Sequence, residues 1–131
     1  MSQENVEIVK KVWEAWMLGD PAGQSMLDPE VTYETDILPD QVGETFHGVQ
    51  GMLDAWAIWA EPWQNLETAL EWVRDAGDDA AVSCHRVKAH GKGSGVKIDT
   101  HYYYVFWFRQ GKIVHVKTYG GVAEAFAAAG L

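Results

Sequence analysis

The sequence is poor in cysteine and in positive charge. Cys84 is the one cysteine among 131 residues. This count excludes an internal disulfide and is typical of a reducing, cytoplasmic location. Ten lysines and arginines stand against nineteen aspartates and glutamates, so the formal net charge is −9. Such a surface repels phosphate backbones and anionic lipids, and we predict neither nucleic acid nor membrane partners.

Long apolar runs are also missing. No stretch approaches the ~20 apolar residues that cross a bilayer, and the N-terminus lacks the basic and apolar blocks of a signal peptide. The apolar share of 47%, with seven tryptophans, is typical of a globular chain that buries a core. No repeat or linker divides the sequence, so we predict a single domain over residues 1–131. Cys84, among apolar neighbours, is interpreted as a buried core residue.

The spacing of apolar residues predicts helices first and strands second. A first helix, capped by Ser2, runs to a stop at Gly19, and a second begins near Gly48 with an apolar stripe that extends to Trp63. A first strand is predicted over residues 31–35. From Leu66 onward the apolar residues recur with a period of two, which predicts strands over 66–74, 79–90, 96–109 and 112–119. A closing helix is predicted over 123–129. This order predicts an α+β fold in which a curved antiparallel sheet wraps around N-terminal helices.

The turns between the strands predict which side chains face the helices. A three-residue loop over residues 109–111 places Tyr104 opposite Val116. The same counting across the loop 91–95 directs Arg86 inward. Even-numbered residues then form the more apolar, inner face of the sheet.

The odd-numbered residues of these strands are too aromatic for a solvent face. An exposed aromatic patch usually marks an interface, so we predict a homodimer that packs through this outer sheet face. The residues predicted at the interface are His85, His101, Tyr103, Trp107, His115 and Tyr119.

A series of short motifs runs through the whole chain. They are VTYETD, FHGVQGM, Glu61-Pro62-Trp63, DAGDDAAV, GKGSGV, FRQGKIVHVKTY and AEAFAAAGL. In this order and spacing they resemble the SnoaL-like branch of the nuclear-transport-factor-two-like superfamily, which includes the ketosteroid isomerases. The resemblance implies a cystatin-like roll, a cone-shaped pocket between the sheet and the helices, and a homodimer.

Three residues are candidates for catalysis. Ketosteroid isomerases of this superfamily carry their proton-abstracting aspartate near Thr35 or Asp36, and a desolvated Asp36 would act as a general base. Tyr104 falls where these isomerases hold the acid that hydrogen-bonds a substrate oxyanion. An inward Arg86 requires a carboxylate partner, a place at the pocket rim or an anionic ligand. The competing interpretations are a loop-capping aspartate, a core tyrosine and a rim arginine.

A pocket for a small hydrophobic molecule is predicted between the helices and the inner sheet face. Its predicted lining residues are Trp16, Tyr33, Met52, Trp56, Tyr102, Val116 and Thr118. The five histidines show no spacing typical of a metal site, and we predict neither a metal ion nor an organic cofactor.

The candidate residues lead to one functional hypothesis and two alternatives. We predict a cofactor-free isomerase, cyclase or dehydratase that acts on a hydrophobic carbonyl compound by proton transfer. Asp36 would move the proton, and Tyr104, with Arg86, would stabilise developing negative charge. The first alternative is a non-catalytic protein that binds a small ligand in the same pocket. The second is a structural dimerisation module whose pocket is filled by its own aromatic side chains.

Overall fold

A computed structural model describes residues 2–18, 20–38 and 43–131. Its elements are α1 (Ser2–Met17), a 3₁₀ helix (Pro21–Met26), β1 (Leu27–Thr35), β2 (Phe46–His47), α2 (Gly48–Ala60), β3 (Trp63–Asp75), β4 (Ala80–Gly91), β5 (Lys97–Arg109), β6 (Lys112–Tyr119) and α3 (Val122–Ala129). The predicted helix stop at Gly19 and the capping side chain of Ser2 lie outside the described residues. Trp63 begins β3 rather than closing the stripe of the second helix, and β2 was not predicted.

The six strands form one curved, open sheet in the order β2-β1-β6-β5-β4-β3. The predicted α+β fold with a curved sheet around the N-terminal helices is confirmed. The sheet differs from the prediction in one respect, because β1 runs parallel to β6 and all other neighbours are antiparallel. No hairpin joins β1 to β6, so their relative direction is not constrained by a tight turn.

Helix α1 lies on the inner face of the sheet. Its buried residues Val6, Val9 and Val12 recur every three positions and so share one side of the helix. Val9 and Val12 join the main core, which also contains Met52 of α2 and Phe106 of β5. This apolar side of α1 therefore packs on the sheet.

The β5–β6 hairpin confirms the inner face predicted for these two strands, by a different register. A two-residue turn, Gln110-Gly111, has positive φ at both positions (53° and 77°), which suits the right-handed twist of a hairpin. A bulge at Val114 then shifts the pairing, so that Tyr104 lies opposite Thr118 rather than opposite Val116. The shorter turn and the bulge each move the register by one residue, so beyond the bulge the pairing is shifted by two and the even-numbered residues of both strands again face inward.

The β4–β5 register contradicts the prediction for β4. His90 pairs with Lys97, so six residues rather than five lie between the paired positions, and Gly91 N donates to the Val96 carbonyl at 2.6 Å. A shift of one residue turns every side chain of a strand to the opposite face. The predicted inward position of Arg86 and the predicted outward position of His85 are therefore both wrong.

Helix α3 packs on the outer face of the sheet. Val82, Val105 and Tyr119 lie buried there together with Ala125 of the helix. Part of the aromatic outer face is thus covered by this chain's own C-terminal helix, which accounts for that part without a second subunit. The homodimer stays a prediction.

Candidate functional site

A cavity of about 800 Å³ lies between α1, α2 and the inner sheet face. Its walls are mainly apolar and include four tryptophans and three tyrosines. These are Trp13, Trp16, Trp56, Trp59, Tyr33, Tyr102 and Tyr104. The tryptophans come in pairs three residues apart on each helix, a spacing that directs both members of a pair to one side.

The aromatic walls contact one another across the helices and the sheet. The rings of Trp16 in α1 and Trp56 in α2 meet edge to face, with centroids 4.6 Å apart. Trp59 meets Tyr102 of β5 in the same way at 5.8 Å. Edge-to-face pairs are favoured by the ring quadrupole and hold each ring in a defined orientation. The cavity therefore has flat, apolar walls.

A small polar cluster lies in the sheet wall of this apolar space, with Thr118 behind Tyr33. The Tyr33 hydroxyl lies 2.5 Å from the Thr118 Oγ1, and both residues are almost completely buried. Burial raises the pKa of Tyr33 and the pKa of Tyr104, and the Thr118 hydroxyl acts against both shifts. Both phenols are consequently protonated at neutral pH and can donate hydrogen bonds.

His85 lines the cavity next to this cluster. Its ring lies between Trp13 and Tyr104, with centroids 4.1 and 4.6 Å away. Its Nε2 lies 2.6 Å from the Ser83 Oγ. Burial lowers the pKa of His85 to about 3, so the imidazole is neutral at physiological pH.

Two buried nitrogens at the cavity have no hydrogen-bond partner among the described residues. They are Nδ1 of His85 and the indole Nε1 of Trp56. Buried polar atoms in folded proteins are nearly always bonded to protein or to water. Unpaired nitrogens beside an apolar cavity are therefore where an oxygen of a bound molecule, or an ordered water, would improve the hydrogen bonding.

Asp36 does not face the cavity, which contradicts its predicted position. Strand β1 alternates sides, so Thr35 is buried against the cavity and the next side chain points to the outer face. There the exposed Asp36 carboxylate lies 3.5 Å from the Lys117 Nζ. Thr35, the other position that the resemblance allowed, occupies the place predicted for a base and has no carboxylate.

Arg86 lies on the outer face and is about half exposed. Its guanidinium donates two hydrogen bonds to the Asp99 carboxylate, at 2.9 and 2.8 Å. The hydrogen bonds from Arg86 hold the pKa of Asp99 below its ordinary value. Arg86 is therefore paired within the chain and is no anchor for an anionic ligand in the cavity.

The predicted lining residues divide into two groups. Trp16, Tyr33, Trp56 and Tyr102 line the cavity, and so does Tyr104. The three remaining predicted lining residues lie completely buried behind its surface; these are Met52, Val116 and Thr118. The sequence prediction had the correct sheet face and helix sides for all of these residues, but spacing alone cannot separate wall from core.

The cavity carries no positive charge among its described lining residues. The charged residues among them are Asp20 and Glu67, and both are exposed. Because exposed groups of a cavity lie where it meets solvent, these two acids belong to its rim. The site therefore combines an apolar aromatic interior, neutral hydrogen-bond donors and an acidic rim.

Solved structures share this architecture at low sequence identity. An NTF2-like protein from Burkholderia thailandensis has a TM-score of 0.75 and 20% identity, over 92% of this chain and 95% of the other. A protein with a ketosteroid isomerase-like fold from Catenulispora acidiphila, in complex with trimethylamine, has a TM-score of 0.68 and 20% identity, over 95% and 93%. TerC, co-crystallized with polyporic acid, has a TM-score of 0.72 and 15% identity, over 98% and 99%. This chain therefore shares the NTF2-like fold of these structures.

The family can be stated more narrowly. The model of the SnoaL-like domain matches residues 9–116. This chain therefore belongs to the SnoaL-like domain family, as its motifs predicted. Among functionally curated proteins, none matches it. None of its described helices is both long enough and apolar enough to traverse a bilayer.

Proposed function

We propose that this protein binds a small, ring-containing and largely apolar molecule in the aromatic cavity. The observation that carries the proposal is the cavity of about 800 Å³ walled by tryptophan and tyrosine rings, a size within the usual range for small-molecule sites. This volume disfavours the alternative of a structural module filled by its own side chains. TerC with polyporic acid and the Catenulispora protein with trimethylamine support a small organic ligand in this fold.

The ligand is uncharged or cationic and carries an oxygen acceptor. The described lining contains two carboxylates and no lysine or arginine, so an anionic group would lose its hydration without gaining a partner. The phenol of Tyr104 supplies a donor for a carbonyl or ether oxygen. The two ligands of the neighbouring structures differ in charge, so this preference rests on the lining of this chain alone.

A matched set of anthracene probes tests the ligand class. We use 2-acetylanthracene, 2-ethylanthracene, anthracene-2-carboxylate and the 2-(trimethylammonio)methyl derivative, and follow energy transfer from tryptophan. The acetyl and ammonium compounds are expected to bind, and the carboxylate at least about tenfold more weakly, because its buried charge is unpaired. Tyr104→Phe should weaken the acetyl compound roughly 2- to 12-fold, the value of one hydrogen bond, and leave the ethyl compound unchanged.

Two substitutions on one helix locate the binding. Ala60 lines the cavity, whereas Ala57 of the same helix is exposed and lies outside its lining. Ala60→Trp should abolish probe binding by filling the space, and Ala57→Trp should leave it intact. Equal binding by both variants would mean that the probes bind elsewhere and that the cavity is not the site.

Catalysis by proton transfer is less well supported than binding. The predicted base, Asp36, lies on the outer face, and the carboxylates of the described lining are rim groups. We therefore place a non-catalytic binding protein ahead of an isomerase, cyclase or dehydratase. Incubation with 2-acetylanthracene in D₂O distinguishes them: no deuterium exchange of the acetyl protons above the buffer rate is expected. Accelerated exchange that Tyr104→Phe abolishes would overturn the non-catalytic proposal.

A further inference from the structure

A cluster of metal-ligating side chains lies on the outer sheet face, away from the cavity. Glu71, Cys84 and His101 belong to three neighbouring strands, and their carboxylate oxygen, sulfur and imidazole nitrogen all lie within 4.8 Å of one another. The His101 Nε2 is 2.8 Å from the Glu71 Oε1. Thiolate, imidazole and carboxylate are the three ligand types that proteins use for zinc.

The strand register assembles this cluster. On β4, Cys84 pairs with Tyr103 of β5, so His101, two residues earlier on the same face, is its diagonal neighbour. On β3, the pairing shifts between Leu70 and Trp72, which makes Glu71 the extra residue of a β-bulge directly beside Cys84. Bulges re-aim side chains and occur frequently next to functional sites. The pairing of the strands and the bulge therefore bring the three ligand atoms close together.

We propose that Glu71, Cys84 and His101 bind Zn²⁺ or a chemically similar divalent transition-metal ion. In a tetrahedral zinc site with bonds of about 2.0–2.3 Å, neighbouring ligand atoms are roughly 3.3–3.8 Å apart. The observed separations are 2.8 Å between His101 Nε2 and Glu71 Oε1 and at most 4.8 Å for the other pairs. Metal binding therefore requires side-chain rotations that exchange the His101–Glu71 hydrogen bond for two bonds to the metal. Three protein ligands leave the fourth position for water or another donor.

The composition of the cluster selects among metals. A sulfur and a nitrogen ligand disfavour Ca²⁺ and Mg²⁺, which prefer oxygen. Cys84 is only 2% exposed, and Trp72 and Tyr103 pack nearby with ring centroids 6.2 Å apart. The sulfur is thus shielded from bulk thiol reagents while the Glu71 carboxylate remains open to solvent, so the ion enters from the carboxylate side. The competing interpretation is a surface hydrogen bond between His101 and Glu71 over a buried cysteine.

Cobalt substitution tests the site with the full, untagged chain. The protein is stripped with chelator, reduced and titrated with Co²⁺. The proposal expects one equivalent to produce a thiolate-to-cobalt charge-transfer band with the visible bands of four-coordinate cobalt, which added Zn²⁺ removes. His101→Ala and Glu71→Gln should each weaken Co²⁺ binding at least about tenfold. His47→Ala, an exposed histidine on another part of the chain, should bind Co²⁺ like the parent protein.

Two results would overturn the proposal. One is the absence of a charge-transfer band at one equivalent of Co²⁺. The other is a band that persists undiminished in Glu71→Gln and His101→Ala, which would mean adventitious binding to the cysteine alone. Circular dichroism establishes that each variant is folded, and Zn²⁺ should raise the melting temperature of the parent protein but not of folded His101→Ala. These readouts are independent of probe binding in the cavity.

Discussion

Acidification is expected to destabilise this protein through His85, and replacement of that histidine is expected to remove the effect. The folded-state pKa of His85 is about 3 because of burial, against an ordinary value of 6.5. Between these values the unfolded chain binds a proton that the folded protein does not, so the free energy of unfolding falls as the pH falls. Integration from pH 7.5 to pH 5 gives a loss of about 2 kcal/mol from this one group.

Urea unfolding at the two pH values, followed by tryptophan fluorescence, measures this loss. His85→Gln keeps a hydrogen-bonding group for the Ser83 hydroxyl but cannot titrate. The variant is less stable overall, since a buried site is disturbed, but its stability should depend less on pH than that of the parent by about 2 kcal/mol. A chelator in every sample prevents metal binding from contributing.

The matched control is His47→Gln, which changes an exposed histidine at the start of α2. It should retain the pH dependence of the parent protein. If the free energy of unfolding of His85→Gln and of the parent falls by the same amount on acidification, within about 0.5 kcal/mol, then His85 binds its proton in the folded protein as it does in the unfolded chain. The neutral, buried imidazole described at the cavity would then be refuted.

Two further substitutions test the core and the corrected position of Asp36. Phe106→Ala removes a fully buried ring that stacks on Tyr104. It should lower the free energy of unfolding, measured in urea, by about 3–5 kcal/mol. A loss below about 1 kcal/mol would mean that the core is not packed as described. Asp36→Asn should lower the free energy of unfolding by less than about 1 kcal/mol, because the ion pair of Asp36 with Lys117 is exposed. This substitution should also leave the affinity for 2-acetylanthracene unchanged. A large loss of affinity would mean that Asp36 contributes to the binding site.

The inner face of β5 and β6 could be predicted because one face of these strands is distinctly more apolar. Tyr104, Phe106 and Val116 share that face, and the alternation specified it even though the turn and the bulge were not foreseen. The two deviations, one residue each in the turn and at Val114, add up to a register shift of two, which leaves the facing of the side chains unchanged. A buried apolar face determines which side chains point inward more strongly than the length of a turn does.

The same reasoning failed for β4 because both of its faces are covered. Residues 80–85 are all buried, since helices α1 and α3 pack on opposite sides of the sheet. Without an apolar–polar alternation, only the length of the 91–96 connection could determine the facing of His85 and Arg86, and a glycine-rich loop does not fix its own length. The bulge at Glu71 had no sequence signal either, so the cluster with Cys84 and His101 could not be foreseen.

The prediction that Asp36 faces the cavity was wrong for a different reason, because the sequence contained the information that corrects it. Val31, Tyr33 and Thr35 alternate along β1 and are all buried. Continuing this alternation by one residue turns Asp36 outward, which favours Thr35 among the two positions that the family resemblance allowed.

The parallel contact of β1 with β6 has a consequence for the way the chain acquires its structure. Thr32 and His115, joined by a side-chain hydrogen bond across these strands, are 83 positions apart. During synthesis on the ribosome, the first helices and β1 therefore emerge long before their neighbour in the sheet exists, with their tryptophan-bearing sides uncovered. Such distant pairing slows folding, so we expect aggregation to compete with folding most strongly while only the N-terminal half has been synthesised.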